Sequence, residues 1–279
     1  MPRLSGSASF PERVSEGNLV TGTDTWSEHR YRVRSNELVT PVIREMWLTP
    51  VDAALTYRAG QYVLLCDGDW HVPQRSYSVA SAPRADGAIC LLVTLVPEGR
   101  TSAWAHDLRA DDEVLLEGPY GMLVAQPGRT APALLLGAGS GLAPVRALAE
   151  AMLAEEPGRS VTLFFSCRTA ADLIGDAELA RWQAEHPRFR YLHTLTRERT
   201  APRHGRIPAQ LADAVGELAG WEVFAAGPSG FVVGCAAAAH ALGAATTDIH
   251  TEEFFSDPQP WLGTAPEAPS GPDSTGETT

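Results

Sequence analysis

The rhythm of this chain changes at Gln126-Pro127-Gly128, and that change limits the fold more than any single residue does. Before it, from Tyr31 to Gly121, apolar stretches of strand length sit between turn signals. The expected strands are Arg32–Val39, Val42–Leu48, Gln61–Leu65, Arg75–Ala80, Ile89–Val96 and Glu113–Glu117, with one short helix near Ser102–Leu108. Many short strands with a single brief helix close into a small antiparallel barrel. After it, strand-length runs (Ala133–Leu136, Val161–Phe165, Phe189–Leu195, Glu222–Ala226, Thr247–His250) alternate with helical segments (Ala143–Glu155, Asp172–Glu185, Pro208–Val215, Gly230–Ala241). Such alternation builds a parallel sheet covered on both faces. The expected fold class is α/β with a β-barrel: an antiparallel Greek-key barrel over 29–128, then a Rossmann-like domain over 129–256. Residues 1–28 read as a loose N-terminal extension and 257–279 as a disordered acidic tail, both poor in periodic apolar residues.

Composition narrows the partners. Arginine supplies all 22 basic residues against 34 acidic ones, for a net charge of −12 over 279 residues. That balance argues against coating nucleic acid or an anionic membrane. With no lysine, any bound phosphate must be held by arginine forks, backbone amides or hydroxyls. Cys66, Cys90, Cys167 and Cys235 have neither zinc-ligand spacing nor the clustering of an iron–sulfur centre, so no metal site is expected. Without a signal peptide or a long apolar run, the chain reads as soluble and cytoplasmic.

Several stretches carry chemistry. In Arg75-Ser76-Tyr77-Ser78, strand alternation puts Arg75 and Tyr77 on one face and Ser76 and Ser78 on the other. An aromatic ring beside a guanidinium suits a planar ring system with a phosphate attached, although an isolated stretch of this kind also reads as an amphipathic surface strand. Glu98-Gly99-Arg100-Thr101-Ser102 joins a strand to a helix start, where several amides can meet an anion; a plain turn with an N-cap fits equally. Gly118-Pro119-Tyr120-Gly121 reads as a β-turn closing the barrel. Gly137-Ala138-Gly139-Ser140-Gly141-Leu142-Ala143-Pro144 follows an apolar strand and opens a helix, the context of a pyrophosphate-binding loop; a tight structural turn is the alternative. Arg168, Arg197 and Arg206 fall just past strand ends or at a helix start, where an open α/β sheet binds ligands, and are placed to hold a 2′-phosphate.

In this order, the motifs from Tyr31 to Phe255 resemble the ferredoxin–NADP(+) reductase superfamily. The resemblance implies an FAD-binding barrel followed by an NAD(P)-binding domain. It implies that Arg75, Ser76, Tyr77, Ser78, Val93, Gly99, Arg100, Thr101, Ser102 and Phe254 serve FAD. Gly137, Gly139, Ser140, Gly141, Pro144, Arg168, Thr196, Arg197, Arg206, Gly227 and Pro228 would serve NADPH, with NADH as a possible donor. Ser78 and Glu252 would be the polar groups beside the reacting flavin nitrogen. Two positions depart from the family pattern: Thr94 stands where relatives often have a basic residue, and Ala226 where many have cysteine. The activity implied is electron transfer from NADPH through FAD to a ferredoxin or oxygenase component. The alternatives are a flavin or ferric reductase and, from another class, a redox-silent nucleotide sensor.

Overall fold

The computed structural model describes residues 27–156, 158–199 and 201–254. Most of the expected N-terminal extension and the whole acidic tail lie outside them. The first half contains β1 (Ser27–Thr40), β2 (Ile43–Pro50), β3 (Tyr62–Cys66), β4 (Arg75–Ser78), β5 (Ile89–Thr94), α1 (Arg100–Asp107) and β6 (Glu113–Tyr120). These strands form one sheet in the order β4-β3-β6-β1-β2-β5, with every pairing antiparallel. A bridge between Val79 and Leu91 brings the two edge strands together, so the sheet curls into a Greek-key barrel. Alternation along β1 drives this: Tyr31 and Val33 are buried while Arg30, Arg32 and Arg34 are exposed. The buried Tyr31 hydroxyl is satisfied by donating to Gly87 O and accepting from Leu55 N.

The second half contains β7 (Ala133–Ala138), α2 (Leu142–Glu155), β8 (Val161–Cys167), α3 (Asp176–Glu185), β9 (Phe189–Leu195), α4 (Ile207–Val215), β10 (Glu222–Pro228), α5 (Ser229–Ala241) and β11 (Ile249–Phe254). Its strands are parallel in the order β11-β10-β7-β8-β9. All seven residues of β8 are buried, the pattern of a strand covered on both faces. Strand order reverses between β7 and β10, which makes their carboxyl ends the switch point where such sheets bind ligands. At the opposite end, the fully buried Arg159 donates to the fully buried Glu222 at 2.5 Å. The two halves share a core: Ile43, Cys90 and Leu92 of the barrel pack in one cluster with Leu142, Ala143 and Leu148 of α2. Among the described residues no helix is long and apolar enough to cross a membrane.

The structure corrects four local expectations. Ser27 and Glu28 belong to β1, paired with Gly118 and Glu117, so the extension ends earlier than residue 28. Gly118-Pro119-Tyr120 is not a turn but the end of β6, and Tyr120 pairs with Tyr62. The single helix expected over Asp172–Glu185 is broken: Asp172 closes a short 3₁₀ turn, and Gly175 (φ 61°) intervenes before α3. The last strand is Ile249–Phe254 rather than Thr247–His250, because Thr246–Asp248 form a 3₁₀ turn ahead of it.

Candidate functional site

The start of α1 contacts the chain just before β4, the end of β4 meets β11, and the loop after β7 packs on the end of β10. Ser78 ends β4, and its hydroxyl donates to Glu252 Oε1 on β11 at 2.5 Å, across 174 residues of chain. Burial raises the Glu252 carboxyl above its ordinary range, and the Ser78 hydrogen bond offsets part of that shift. Tyr77 is half-buried against the barrel core, and burial pushes its phenol up to about 12. Arg75 is exposed, and its guanidinium donates only to the neighbouring Gln74 O, with no acidic partner among the described residues. The two serines expected on one face differ in burial: Ser78 is buried and Ser76 exposed, because β11 covers only the end of β4.

At the start of α1 the side chains shape the turn. Ser102 Oγ accepts from Val96 N and donates to Gly99 O, Thr101 Oγ donates to Pro73 O, and Arg100 donates to His71 O. A Cβ on Gly99 would meet Ser102 Oγ at 2.7 Å, so the turn closes tightly on its own hydroxyl. The first helical hydrogen bond runs from Ala103 N to Gly99 O. The amides of Arg100, Thr101 and Ser102 therefore precede it, and no acidic side chain sits in that turn. Val93 is fully buried in the barrel core, and its carbonyl contacts His106 Nε2, so only its backbone could serve a ligand.

The loop after β7 is a 3₁₀ turn, Gly139–Gly141, leading straight into α2 with Pro144 in its first turn. Gly139 has φ 57° and open space at its Cβ position. Gly141 is the reverse: a Cβ there would lie 2.2 Å from Ala226 O and 2.8 Å from Gly227 Cα. Gly227 (φ 148°) is packed less tightly, its Cβ position lying 3.2 Å from both Ala138 Cβ and Ala138 O. Gly227 is paired with Glu253 and Pro228 with Phe254, so β10 delivers β11 to the site in register. The Ala226 methyl is buried in the core rather than lining the opening.

The arginines expected around a phosphate come together past β8 and β9. Arg197 N donates to Arg168 O at 2.8 Å, and Thr196 donates to Cys167 O through both its amide and its hydroxyl. Gly205 N donates to Leu195 O, which brings Arg206, the residue before α4, to the same edge. Arg168, Arg197 and Arg206 are all exposed, and none forms an ion pair among the described residues. Of the acids nearby, Asp172 accepts from both the amide and the hydroxyl of Thr169, and Glu198 accepts from Ala170 N at 2.8 Å. Sequence reasoning missed Tyr62, whose ring packs on Tyr120 at 5.6 Å beside Gly121, and Arg146 of α2, which reaches into the barrel.

These donors suit a flavin dinucleotide and a pyridine nucleotide: a free arginine, amides at a helix start and an aromatic on one strand, with a glycine loop opposite. Residues 33–124 match the oxidoreductase FAD-binding domain family, and residues 135–236 the oxidoreductase NAD-binding domain family. The chain is 31% identical over 186 residues to ferredoxin–NADP reductase B of Sorangium cellulosum, covering 65% of this chain and 76% of that one. It belongs to the ferredoxin–NADP(+) reductase superfamily. Reductase component 2 of terephthalate 1,2-dioxygenase from a Comamonas species is 30% identical over 233 residues, 81% of this chain and 68% of that one. The crystal structure of an Amycolatopsis cytochrome P450 reductase superposes with a TM-score of 0.77 at 31% identity, over 83% of this chain and 71% of that one. As a superfamily member, the chain is an FAD-dependent NAD(P)H oxidoreductase.

Proposed function

We propose that this reductase takes electrons from NADPH and delivers them to a ferredoxin or an oxygenase component in the cytoplasm. We divide it into an FAD-binding barrel that runs from β1 to residue 128 and an NADP-binding domain at 129–256. Bound FAD supplies the conversion of a hydride, released from nicotinamide C4 as the nicotinamide is oxidised, into single electrons for the acceptor. Arg75 grips the flavin phosphate, and the amides of Arg100 to Ser102 receive the pyrophosphate at a helix N-terminus. Tyr77 and Phe254 would border the flavin ring, and Ser78 and Glu252 would hold its polar edge.

One observation carries the reading: the Ser78–Glu252 hydrogen bond joins the flavin strand to the strand delivered beside the nucleotide loop. It supports the reading that both cofactor sites share one opening, as direct hydride transfer requires. NADPH is favoured over NADH because Asp172 is engaged by Thr169, while Arg168, Arg197 and Arg206 are exposed and form no ion pair among the described residues. An acid free to accept from a ribose hydroxyl would favour NADH instead. The acceptor reading is supported by relatives that are themselves reductase components of dioxygenase systems.

Anaerobic titration of the FAD-loaded protein tests the core reading: NADPH bleaches the flavin absorbance, and a flavin left oxidised with nucleotide bound overturns it. Arg197→Ala and Arg206→Ala raise the KM for NADPH far more than that for NADH; equal effects refute the 2′-phosphate assignment. Reduction of a protein acceptor, absent with free flavin alone, separates this reading from a flavin reductase.

A further inference from the structure

We propose that Arg146 and Glu150 are positioning residues that fix the nucleotide loop against the flavin strand. The inference rests on the hydride transfer proposed above. Both residues lie on α2, four apart and so on one face, and α2 starts directly after Gly141. Any shift of this helix is a shift of the glycine loop.

Arg146 is buried, and all three guanidinium nitrogens donate to the barrel, with Glu178 Oε2 of α3 also lying 3.8 Å from Nη1. Nε donates to Ala80 O at 2.9 Å, Nη1 to Glu45 Oε2 on β2 at 2.7 Å, and Nη2 to Cys90 Sγ on β5 at 3.1 Å. One turn later, Glu150 Oε2 accepts from Ala82 N at 2.7 Å, and Oε1 accepts from Arg84 at 2.9 Å. Ala80 and Ala82 lie two and four residues beyond Ser78. α2 thus holds the backbone that continues the flavin strand, at one carbonyl and one amide. Ser78 itself is held from β11. The strand is therefore gripped from two separate elements of the nucleotide-binding half.

A generic interface ion pair does not account for this geometry. The Arg84–Glu150 pair on its own is partly exposed, a setting in which such pairs contribute little. Arg146 is different, because its rigid planar fork is satisfied in three directions while buried. Its replacement by lysine keeps the charge and loses the fork.

The test compares Arg146→Lys, Glu150→Ala and Arg146→Ala with the wild type. Four quantities are read: hydrogen exchange of the Ala82 amide in the apoprotein, FAD affinity, NADPH affinity, and the rate of flavin reduction in FAD-loaded protein. The expected result is faster Ala82 exchange in Glu150→Ala, and flavin reduction slowed on the order of 10- to 10²-fold in Arg146→Lys and Glu150→Ala, as an approximately 1 Å misplacement of reactants produces. FAD and NADPH affinities stay near those of the wild type. Two results overturn the proposal: an unchanged reduction rate in both variants, or a rate loss that only follows lost FAD or nucleotide. Arg146→Ala leaves three buried barrel acceptors unpaired, and where it fails to fold the two milder variants decide without it. A wild-type flavin that NADPH fails to reduce overturns the function instead, while the Ala82 amide still reports whether α2 grips the strand.

Discussion

Gly141→Ala isolates the contact that seats the nucleotide loop. Its φ of −61° suits any residue, so the substitution introduces no backbone strain. The added methyl carbon, however, would lie 2.2 Å from Ala226 O, 2.6 Å from Ala226 C and 2.8 Å from Gly227 Cα. All three are backbone atoms of β10, which is held between β7 and β11 and cannot yield as a side-chain tip would. The loop must therefore retreat by about 1 Å, which costs on the order of 1–3 kcal/mol as overpacking. At a transfer site a displacement of about 1 Å slows reaction on the order of 10²-fold. Stopped-flow reduction by NADPH, nucleotide titration and thermal melting together measure the outcome. Gly216→Ala is the control: its φ of 74° at the end of α4 imposes strain, while nothing lies within 4 Å of the new carbon. The control should melt lower yet reduce flavin at the wild-type rate. Wild-type nucleotide affinity and reduction rate in Gly141→Ala would refute the close seating of the loop on β10.

Arg159→Ala leaves the buried Glu222 carboxylate without its main partner and should destabilise the fold by about 3–5 kcal/mol, read by chemical denaturation. Burial alone would raise Glu222, but contact with His250 and Arg159 holds it below its ordinary 4.5. Its contribution is therefore present above pH 4.5 and lost as pH falls through the lower folded value; a Glu222→Gln variant should show a shallower acid-unfolding slope. Glu252 has the opposite sign: raised by burial, it makes the native state bind the extra proton, so its effect on stability declines as pH rises from 4.5 through the folded value. Glu252→Gln should remove that decline in melting temperature, and an unchanged pH profile would contradict the burial. Ser78→Ala removes the hydrogen bond that offsets the shift, so the Glu252 titration, followed by carboxyl NMR, should move higher still.

The two-part architecture was legible because each half has its own period, and turn signals punctuate both. The glycine loop was legible for the same reason: Leu134 to Leu136 announce a buried strand, and Pro144 marks the helix that follows. What escaped was everything decided by one half docking on the other. Arg146 sits among apolar residues of α2, and from the sequence a single arginine in a helix belongs on its wet face. Only the barrel, more than 50 residues away in the chain, supplies the carbonyl, carboxylate and sulfur that bury it. Ser76 and Ser78 share strand parity, yet β11 covers one and leaves the other exposed. Gly118-Pro119-Tyr120 carries the residues of a turn, but pairing with Ser27 and Tyr62 draws it into the sheet. Nothing local signals that Thr169 engages Asp172 through both its amide and its hydroxyl.

β11 is an edge strand, and it is the last strand in the described chain. The wall it contributes beside Ser78 is therefore made after every other part of the site during synthesis. Arg75 and Tyr77 are synthesised long before Glu252 and Phe254. Any ordering of the Ser78 hydroxyl by Glu252 therefore waits on the last strand described.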